Sequence, residues 1–112
     1  MRRDAALLLD MVGAALDVET TLGGRDLPAF EASRVTQLAA QMSLVIIGEA
    51  AGRLSRQFTI AHPEIEWPQI VAFRNVLVHG YHQVNLRRVF EIATVEVPKL
   101  ATWLETVAPS RP

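Results

Sequence analysis

The sequence predicts an all-α fold, an antiparallel bundle of about four to five helices. Apolar residues recur every three to four positions in four long segments, the spacing that buries one face of a helix. Glycine, proline, serine and asparagine stand at the segment borders, and no stretch shows the alternation of a strand. With 112 residues, half of them hydrophobic, we expect one domain over residues 1–112.

The first two helices are predicted over residues 4–22 and about 34–58. Gly23-Gly24 is a suitable end for the first helix, and residues 25–31 are predicted as a loop or short turn. Ser33 is the expected N-cap of the second helix. That helix is apolar nearly all round at its centre, where Gly48 and Gly52 would let another backbone approach closely.

The third and fourth helices have clear start signals. Trp67-Pro68 opens the third helix, because proline is favoured in the first turn, and Gly80 ends it. Asn85 caps the fourth helix, which is predicted to reach about residue 107 with a kink or break at Pro98. Residues 108–112 are predicted as a frayed tail.

Composition and charge exclude several classes of protein. The chain has no cysteine, so it forms no disulfide or thiolate metal site. A net charge of −1 excludes a generally basic surface that coats nucleic acid, so any RNA contact must be local.

No uncharged run approaches the ~20 residues of a membrane span. Met1-Arg2-Arg3-Asp4 is predicted to start a helix rather than a signal peptide. We expect a cytoplasmic protein without membrane contact.

The segment from Arg74 to Tyr81 groups three side chains suited to phosphate chemistry. Arg74 carries a guanidinium fork that matches phosphate oxygens. His79 supplies an imidazole, the side-chain type that titrates near neutrality, and Tyr81 adds a hydroxyl. Arg74 lies on the apolar stripe of its helix, where a charge is costly unless it is paired or faces a ligand.

Several motifs stand in order over nearly the whole chain: Ile47-Gly48-Glu49-Ala50, His62-Pro63-Glu64-Ile65-Glu66-Trp67, Arg74-Asn75 with His79-Gly80-Tyr81, and Val84-Asn85 with Val97-Pro98-Lys99-Leu100. Together they resemble the HepT-like toxins of the HEPN superfamily. The arginine and histidine spacing alone is a weak signal, whereas the full set is specific. Phe73, Phe90 and Asn85 depart from the family pattern at positions of packing and capping.

This resemblance implies a metal-independent endoribonuclease toxin of a bacterial type VII toxin–antitoxin system, acting on RNA such as tRNA or mRNA. In that family the active site is a cleft at a homodimer interface, and the partner is an MntA-type nucleotidyltransferase antitoxin that transfers AMP to the motif tyrosine. Carried onto this chain, Arg74 and His79 are catalytic and Tyr81 is the AMP acceptor. Metal-free RNA cleavage needs proton transfer and a cation near the phosphate, roles that fit His79 and Arg74.

Other residues are expected to support this site. Asn75 belongs to the motif, Glu49 is a candidate ion-pair partner of Arg74, and Arg87-Arg88 are weaker candidates for RNA phosphates. Arg53 and Arg56 are still weaker candidates for contacts with RNA phosphates. We expect no metal and no cofactor, because His79 and His82 lie on either side of a predicted helix end.

Residues five apart on a helix point about 140° away from each other, so one motif cannot easily close on a phosphate. We therefore expect a homodimer with an interface around Ile47 and Gly48, the motif helix, or both.

Plainer interpretations remain open at this point. His79 is also suited to the end of a helix, where it would interact with the macrodipole. Tyr81 is also suited to a half-buried core position, and His62 is expected to be a loop residue only. The alternative function is a non-catalytic helical binding module that docks on a nucleotidyltransferase and positions its substrate.

Overall fold

The computed structural model describes residues 2–110, and the predicted all-α fold is confirmed there. The helices are α1 (Arg2–Leu22), α2 (Leu27–Glu31), α3 (Arg34–Arg53), α4 (Arg56–Ala61), α5 (Trp67–His79), α6 (Leu86–Glu91) and α7 (Val97–Val107). A 3₁₀ turn, Tyr81–Gln83, follows α5, and a π-helical segment, Ile92–Glu96, joins α6 to α7. Within residues 2–110, no helix combines the length and apolar character needed to cross a bilayer.

The central layer of the bundle is α3, which packs against α1 on one side and α5 on the other. Both pairs are antiparallel. The start of α1 meets the end of α3 through Asp4 and Ser55, and Gly48 of α3 lies against Arg74 of α5 while Gly52, further along α3, lies against the earlier Val71. Helix α7 packs on α1 and closes the core around Met11, Phe30 and Leu104, which are fully buried.

The predicted end of the first helix at Leu22 is confirmed, its start lies at Arg2 rather than Asp4, and one loop is corrected; Met1 lies outside the described residues. Gly23 (φ +52°) and Gly24 (φ +77°) adopt the left-handed conformation that ends α1. The segment predicted as a loop or short turn contains α2. Its first turn is capped by Asp26, which accepts a hydrogen bond from the Ala29 N–H at 3.0 Å. Ser33 caps α3 as predicted, accepting from the Thr36 N–H at 3.2 Å.

The prediction of one helix over residues 34–58 is wrong. Helix α3 ends at Arg53, because Leu54 and Ser55 adopt extended backbone before α4 begins. A tertiary contact holds this break. The Ser55 backbone N–H and hydroxyl donate to the two carboxylate oxygens of buried Asp4 at 2.9 and 2.7 Å. Burial raises the pKa of the Asp4 carboxyl, but these hydrogen bonds and the nearby positive charges outweigh it, so the pKa lies below its usual 3.8.

In the last part of the chain, the predicted helix cap at Asn85 is confirmed, whereas the predicted kink or break at Pro98 is not found. The Asn85 side chain accepts from the Arg88 N–H at 3.1 Å, so asparagine caps the helix as predicted. Pro98 lies in the first turn of α7 and does not interrupt it. The irregularity lies before it, where the Val97 N–H donates to the Ile92 carbonyl in the π-helical segment. Ala108 follows the end of α7, and the last two residues of the predicted tail lie outside the described residues.

Candidate functional site

Arg74 lies where α3 and α5 cross, and Gly48 is the residue that makes room for it. A Cβ atom built on Gly48 would stand 2.3 Å from the Arg74 Cβ and 2.7 Å from its Cγ, distances that no ordinary contact allows. At Gly52 the corresponding atom would lie 3.5 Å from a Val71 methyl group, an ordinary contact. The expected close helix approach is therefore found, and Gly48 is the glycine that requires it.

The protein supplies partners for only some of the hydrogen-bond donors of the Arg74 guanidinium. Its Nη1 lies 3.3 Å from the Glu49 Oε1, so the two side chains form the ion pair that the sequence left open. Its Nε is buried and has no hydrogen-bond partner among the described residues. Because a buried donor without a partner is costly, a group of this kind often marks a site that is completed by a ligand.

His79 and Tyr81 lie at the C-terminal end of α5, on the outside of the molecule. His79 is the last residue of the helix and is exposed, and Gly80 ends the helix by donating its N–H to the Val76 carbonyl at 2.8 Å. Tyr81 begins the 3₁₀ turn and is 70% exposed, so it is not the half-buried core residue of the plainer interpretation. Its ring lies edge-on to His82, with the centroids 5.6 Å apart.

The motif does not converge within one chain. Arg74 and His79 both belong to the regular part of α5, so their side chains leave the helix axis about 140° apart. Arg74 is half-buried against α3, whereas His79 faces outward.

The expected dimer interface around Ile47 and Gly48 is wrong at those two residues. Both are buried inside the protomer, because Ile47 belongs to the core and Gly48 packs on Arg74. The exposed apolar side chains of α3 lie instead on the opposite face, which we call the α3 outer face: Val35, Leu38, Met42 and Ile46. A patch of this kind is typical of an interaction surface.

The weaker site candidates fall into two groups. Asn75 is exposed next to Arg74 and lines a cavity beside α5. Arg87 and Arg88 are exposed at the start of α6, and Arg88 is paired with Glu91 on its own helix. Within residues 2–110, no cluster of three or more histidine, aspartate or glutamate side chains is placed to hold a metal ion.

An aromatic network around His62 was missed in the sequence. The His62 ring packs on Phe58 at a centroid distance of 4.5 Å and on Trp103 at 5.5 Å, and Trp67 also contacts Trp103. The Trp67 indole donates to the His62 carbonyl at 2.9 Å, and the Trp103 indole donates to Glu64 at 2.9 Å. His62 is therefore part of a structural cluster and not a loop residue only. The signal available was the pair Phe58 and Trp67 on either side of the connection before α5.

Similarity to known proteins agrees with the motifs. The sequence profile of the family described as Ribonuclease HepT-like matches residues 11–107. A protein of Methanocaldococcus jannaschii named as a candidate RNase is 30% identical over 107 residues, which cover 95% of this chain and 98% of the relative. No solved structure gives a significant match.

Two further relatives match over part of their length. A protein of Thermococcus cleftensis named as a candidate ribonuclease HepT is 34% identical over 71 residues, 63% of this chain and 64% of the relative. A candidate RNase of Caldanaerobacter subterraneus subsp. tengcongensis is 40% identical over 65 residues, 58% of each chain. With a family profile that covers nearly the whole chain and a relative that matches over its full length, this chain belongs to the HepT-like ribonuclease family of the HEPN superfamily.

Proposed function

We propose that the chain is a metal-independent endoribonuclease that acts as the toxin of a type VII toxin–antitoxin system. The observation that carries the proposal is the state of Arg74. It is a half-buried cation with one nitrogen on Glu49 and a buried Nε that has no partner in the part of the chain that the structure describes. A phosphate oxygen is a suitable acceptor for such a donor, because charge-assisted bonds between arginine and phosphate are among the strongest in proteins.

The proposed active site joins two copies of the chain. Arg74 and His79 point about 140° apart on one helix, so Arg74 of one protomer acts with the partner's His79. The α3 outer face, from Val35 to Ile46, supports this arrangement, because it offers an apolar surface next to the helix that carries the motif.

In the proposed reaction the ribose 2′-hydroxyl of RNA attacks the adjacent phosphate. His79 takes the proton of that hydroxyl or returns one to the leaving 5′-oxygen, and Arg74 stabilises the negative charge that builds on the phosphate oxygens. Glu49 holds the guanidinium in place and takes no part in the bond changes.

Tyr81 is the proposed regulatory residue. Its hydroxyl is available to a modifying enzyme, since the side chain is 70% exposed and follows His79 by two positions. Transfer of AMP from ATP by an MntA-type nucleotidyltransferase, with release of pyrophosphate, would put a bulky anion beside the site. Steric block and charge repulsion would then exclude RNA.

The test of catalysis is cleavage of RNA by the purified chain with a chelator present. We expect His79→Ala to cut more slowly by about 10²–10⁴-fold, because it loses a proton-transfer group. His82→Ala is the matched control, since His82 is also exposed and lies three residues further on, outside the Arg74–Tyr81 motif. Equal cleavage by wild type and His79→Ala would refute the assignment. A chain that neither cuts RNA nor arrests growth, yet binds a nucleotidyltransferase, would support the binding-module alternative.

Regulation is tested separately with the nucleotidyltransferase partner, ATP and mass spectrometry. We expect one AMP adduct on Tyr81 and loss of cleavage in the modified protein. Tyr81→Phe keeps the ring, should cut RNA normally and should escape modification. An adduct on another residue, or an adduct on Tyr81 that leaves cleavage unchanged, would contradict the proposal.

A further inference from the structure

A cavity of about 570 Å³ lies where the end of α3, α4 and the first turns of α5 meet. We call it the Arg56 groove. Its floor is apolar, formed mainly by Trp67, Pro68, Val71 and Ala72. Its polar side chains are Arg56, Thr59 and Asn75, and no carboxylate lines it within the described residues.

The groove is continuous with the motif along one face of α5. Pro68, Ala72, Asn75 and His79 follow each other at helical spacing, and all four are exposed. The first three line the groove, and His79 is one turn beyond Asn75. At 1.5 Å per residue, the stripe from Pro68 to His79 is about 16 Å long, enough for a short piece of a nucleic acid strand.

The charge of its lining side chains distinguishes this groove from a second cavity. That second cavity, of about 410 Å³, is lined by Glu64, Glu66 and Glu96 together with Arg88 and Lys99, which leaves an excess of negative charge. Arg56, in contrast, is exposed and has no ion-pair partner among residues 2–110. Of the two cavities, the Arg56 groove is therefore the one suited to a polyanion.

We propose that the Arg56 groove binds the RNA strand beside the phosphate that is cut. Arg56 holds a phosphate of a flanking nucleotide, and the floor around Pro68 and Ala72 packs against its ribose or base. Asn75 lies between this subsite and His79, so it is placed to contact the strand on its way to the motif. The proposal rests on the proposed function, because it names the path of that substrate.

The test is the binding of a fluorescent 2′-O-methyl oligoribonucleotide, measured by anisotropy with the full chain. This RNA lacks the 2′-hydroxyl nucleophile, so binding is read without cleavage. Loss of one phosphate contact on a single strand should weaken binding roughly fivefold at about 0.1 M salt and lower the slope of log K against log salt by about 0.7. We expect both changes for Arg56→Gln, and a smaller loss for Arg56→Lys.

Arg34→Gln is the matched control, because Arg34 is exposed at the far end of α3 and carries the same charge. Ala72→Glu puts a carboxylate on the groove floor and should weaken binding, whereas Ala29→Glu, at an exposed position of α2, should not. Circular dichroism confirms that each variant is folded.

The outcomes separate this proposal from the proposed function. If wild type cuts RNA but Arg56→Gln and Ala72→Glu bind the oligonucleotide as wild type does, the groove proposal fails alone. The same is true if Arg34→Gln weakens binding as much as Arg56→Gln. If no RNA is cut but binding still depends on Arg56 and Ala72, the proposal that the groove binds RNA is supported and the catalytic assignment is wrong. If the wild-type chain does not bind the oligonucleotide, the proposal that the groove binds RNA is wrong.

Discussion

Buried Asp4 and half-buried Arg74 differ in how fully their hydrogen-bonding groups are paired. Asp4, at the start of α1, accepts two short hydrogen bonds from Ser55. Arg74, on α5, has one ion-pair contact with Glu49 at 3.3 Å and a buried Nε that finds no hydrogen-bond partner within residues 2–110. Since an unsatisfied buried donor costs stability, Asp4 is the charge that stabilises the fold, whereas the contacts of Arg74 agree with the proposal that it binds a ligand.

The largest effect on stability is expected where Arg74 crosses α3. Gly48→Ala would place a methyl group 2.3 Å from the Arg74 Cβ, which is fixed to the helix backbone and cannot turn aside. The helices must move apart, so the free energy of unfolding should fall by about 2 to 3 kcal/mol. RNA cleavage should fall as well, because the shift moves Arg74. Chemical denaturation and cleavage assays measure both.

Gly52→Ala is the control for this prediction. Its new methyl group would make an ordinary contact with Val71 at 3.5 Å, and alanine is the better helix former by about 1 kcal/mol. We expect unchanged or raised stability. If Gly48→Ala and Gly52→Ala unfold at the same denaturant concentration, the close crossing at Arg74 is wrong.

A second effect is expected at Asp4. Asp4→Ala leaves the Ser55 N–H without its acceptor and should lower the free energy of unfolding by about 1 to 2 kcal/mol, while RNA cleavage per folded molecule stays the same. Asp10→Ala, at an exposed position of the same helix, should change little.

The contribution of Asp4 should also depend on pH. Its pKa is lower in the folded chain than its usual 3.8, so its stabilising effect is complete above that value and is lost as the pH falls through the lowered pKa. The stability difference between wild type and Asp4→Ala should therefore shrink in acid. A difference that grows as the pH is lowered would contradict the hydrogen-bonded carboxylate.

The smallest effect on stability is expected for Glu49→Gln. The Glu49 side chain is about half exposed, and pairs of this kind contribute about 0.5 kcal/mol or less. Cleavage should still fall, because Arg74 loses the carboxylate that orients it. Glu19→Gln, at an exposed position of α1, is the control. Unchanged cleavage in Glu49→Gln would mean that the ion pair has no role in the site.

The parts of the fold that local sequence determines were predictable. Gly23-Gly24, Ser33, Pro68, Gly80 and Asn85 each act at the helix boundary where their backbone or side chain is favoured. The break between α3 and α4 has one local signal, because the Ser55 side chain caps α4 by accepting from the Phe58 N–H at 3.1 Å. The apolar pattern of residues 34–58 continues through this position, and the second contact of Ser55, with Asp4, is 51 residues away and could not be predicted from that pattern.

For the candidate site too, some features could be predicted from the sequence and others depend on how the helices pack. The roles expected for Arg74, His79 and Tyr81 come from the resemblance to a known family. The Glu49 pairing could be suggested from the sequence because Glu49 and Arg74 each lie on the apolar stripe of a helix. The partner of Gly48, and the association of Arg56 with the α5 stripe, depend on how α3, α4 and α5 cross. Of the two expected interfaces, the motif helix stays a prediction, whereas Ile47 and Gly48 are buried inside the protomer. A nearly uniform apolar segment does not reveal which of its faces is used inside the protomer.

The central claim, that Arg74 of one protomer acts with the partner's His79, is tested most directly by mixing subunits. Arg74→Ala and His79→Ala proteins are each assayed on RNA alone, then unfolded and refolded together in equal amounts. A mixed dimer holds one intact pair across the interface, and half of the dimers are mixed, so we predict recovery of roughly a quarter of the wild-type rate. A mixture in which mixed dimers form but cleavage stays as low as in either variant alone would contradict the claim.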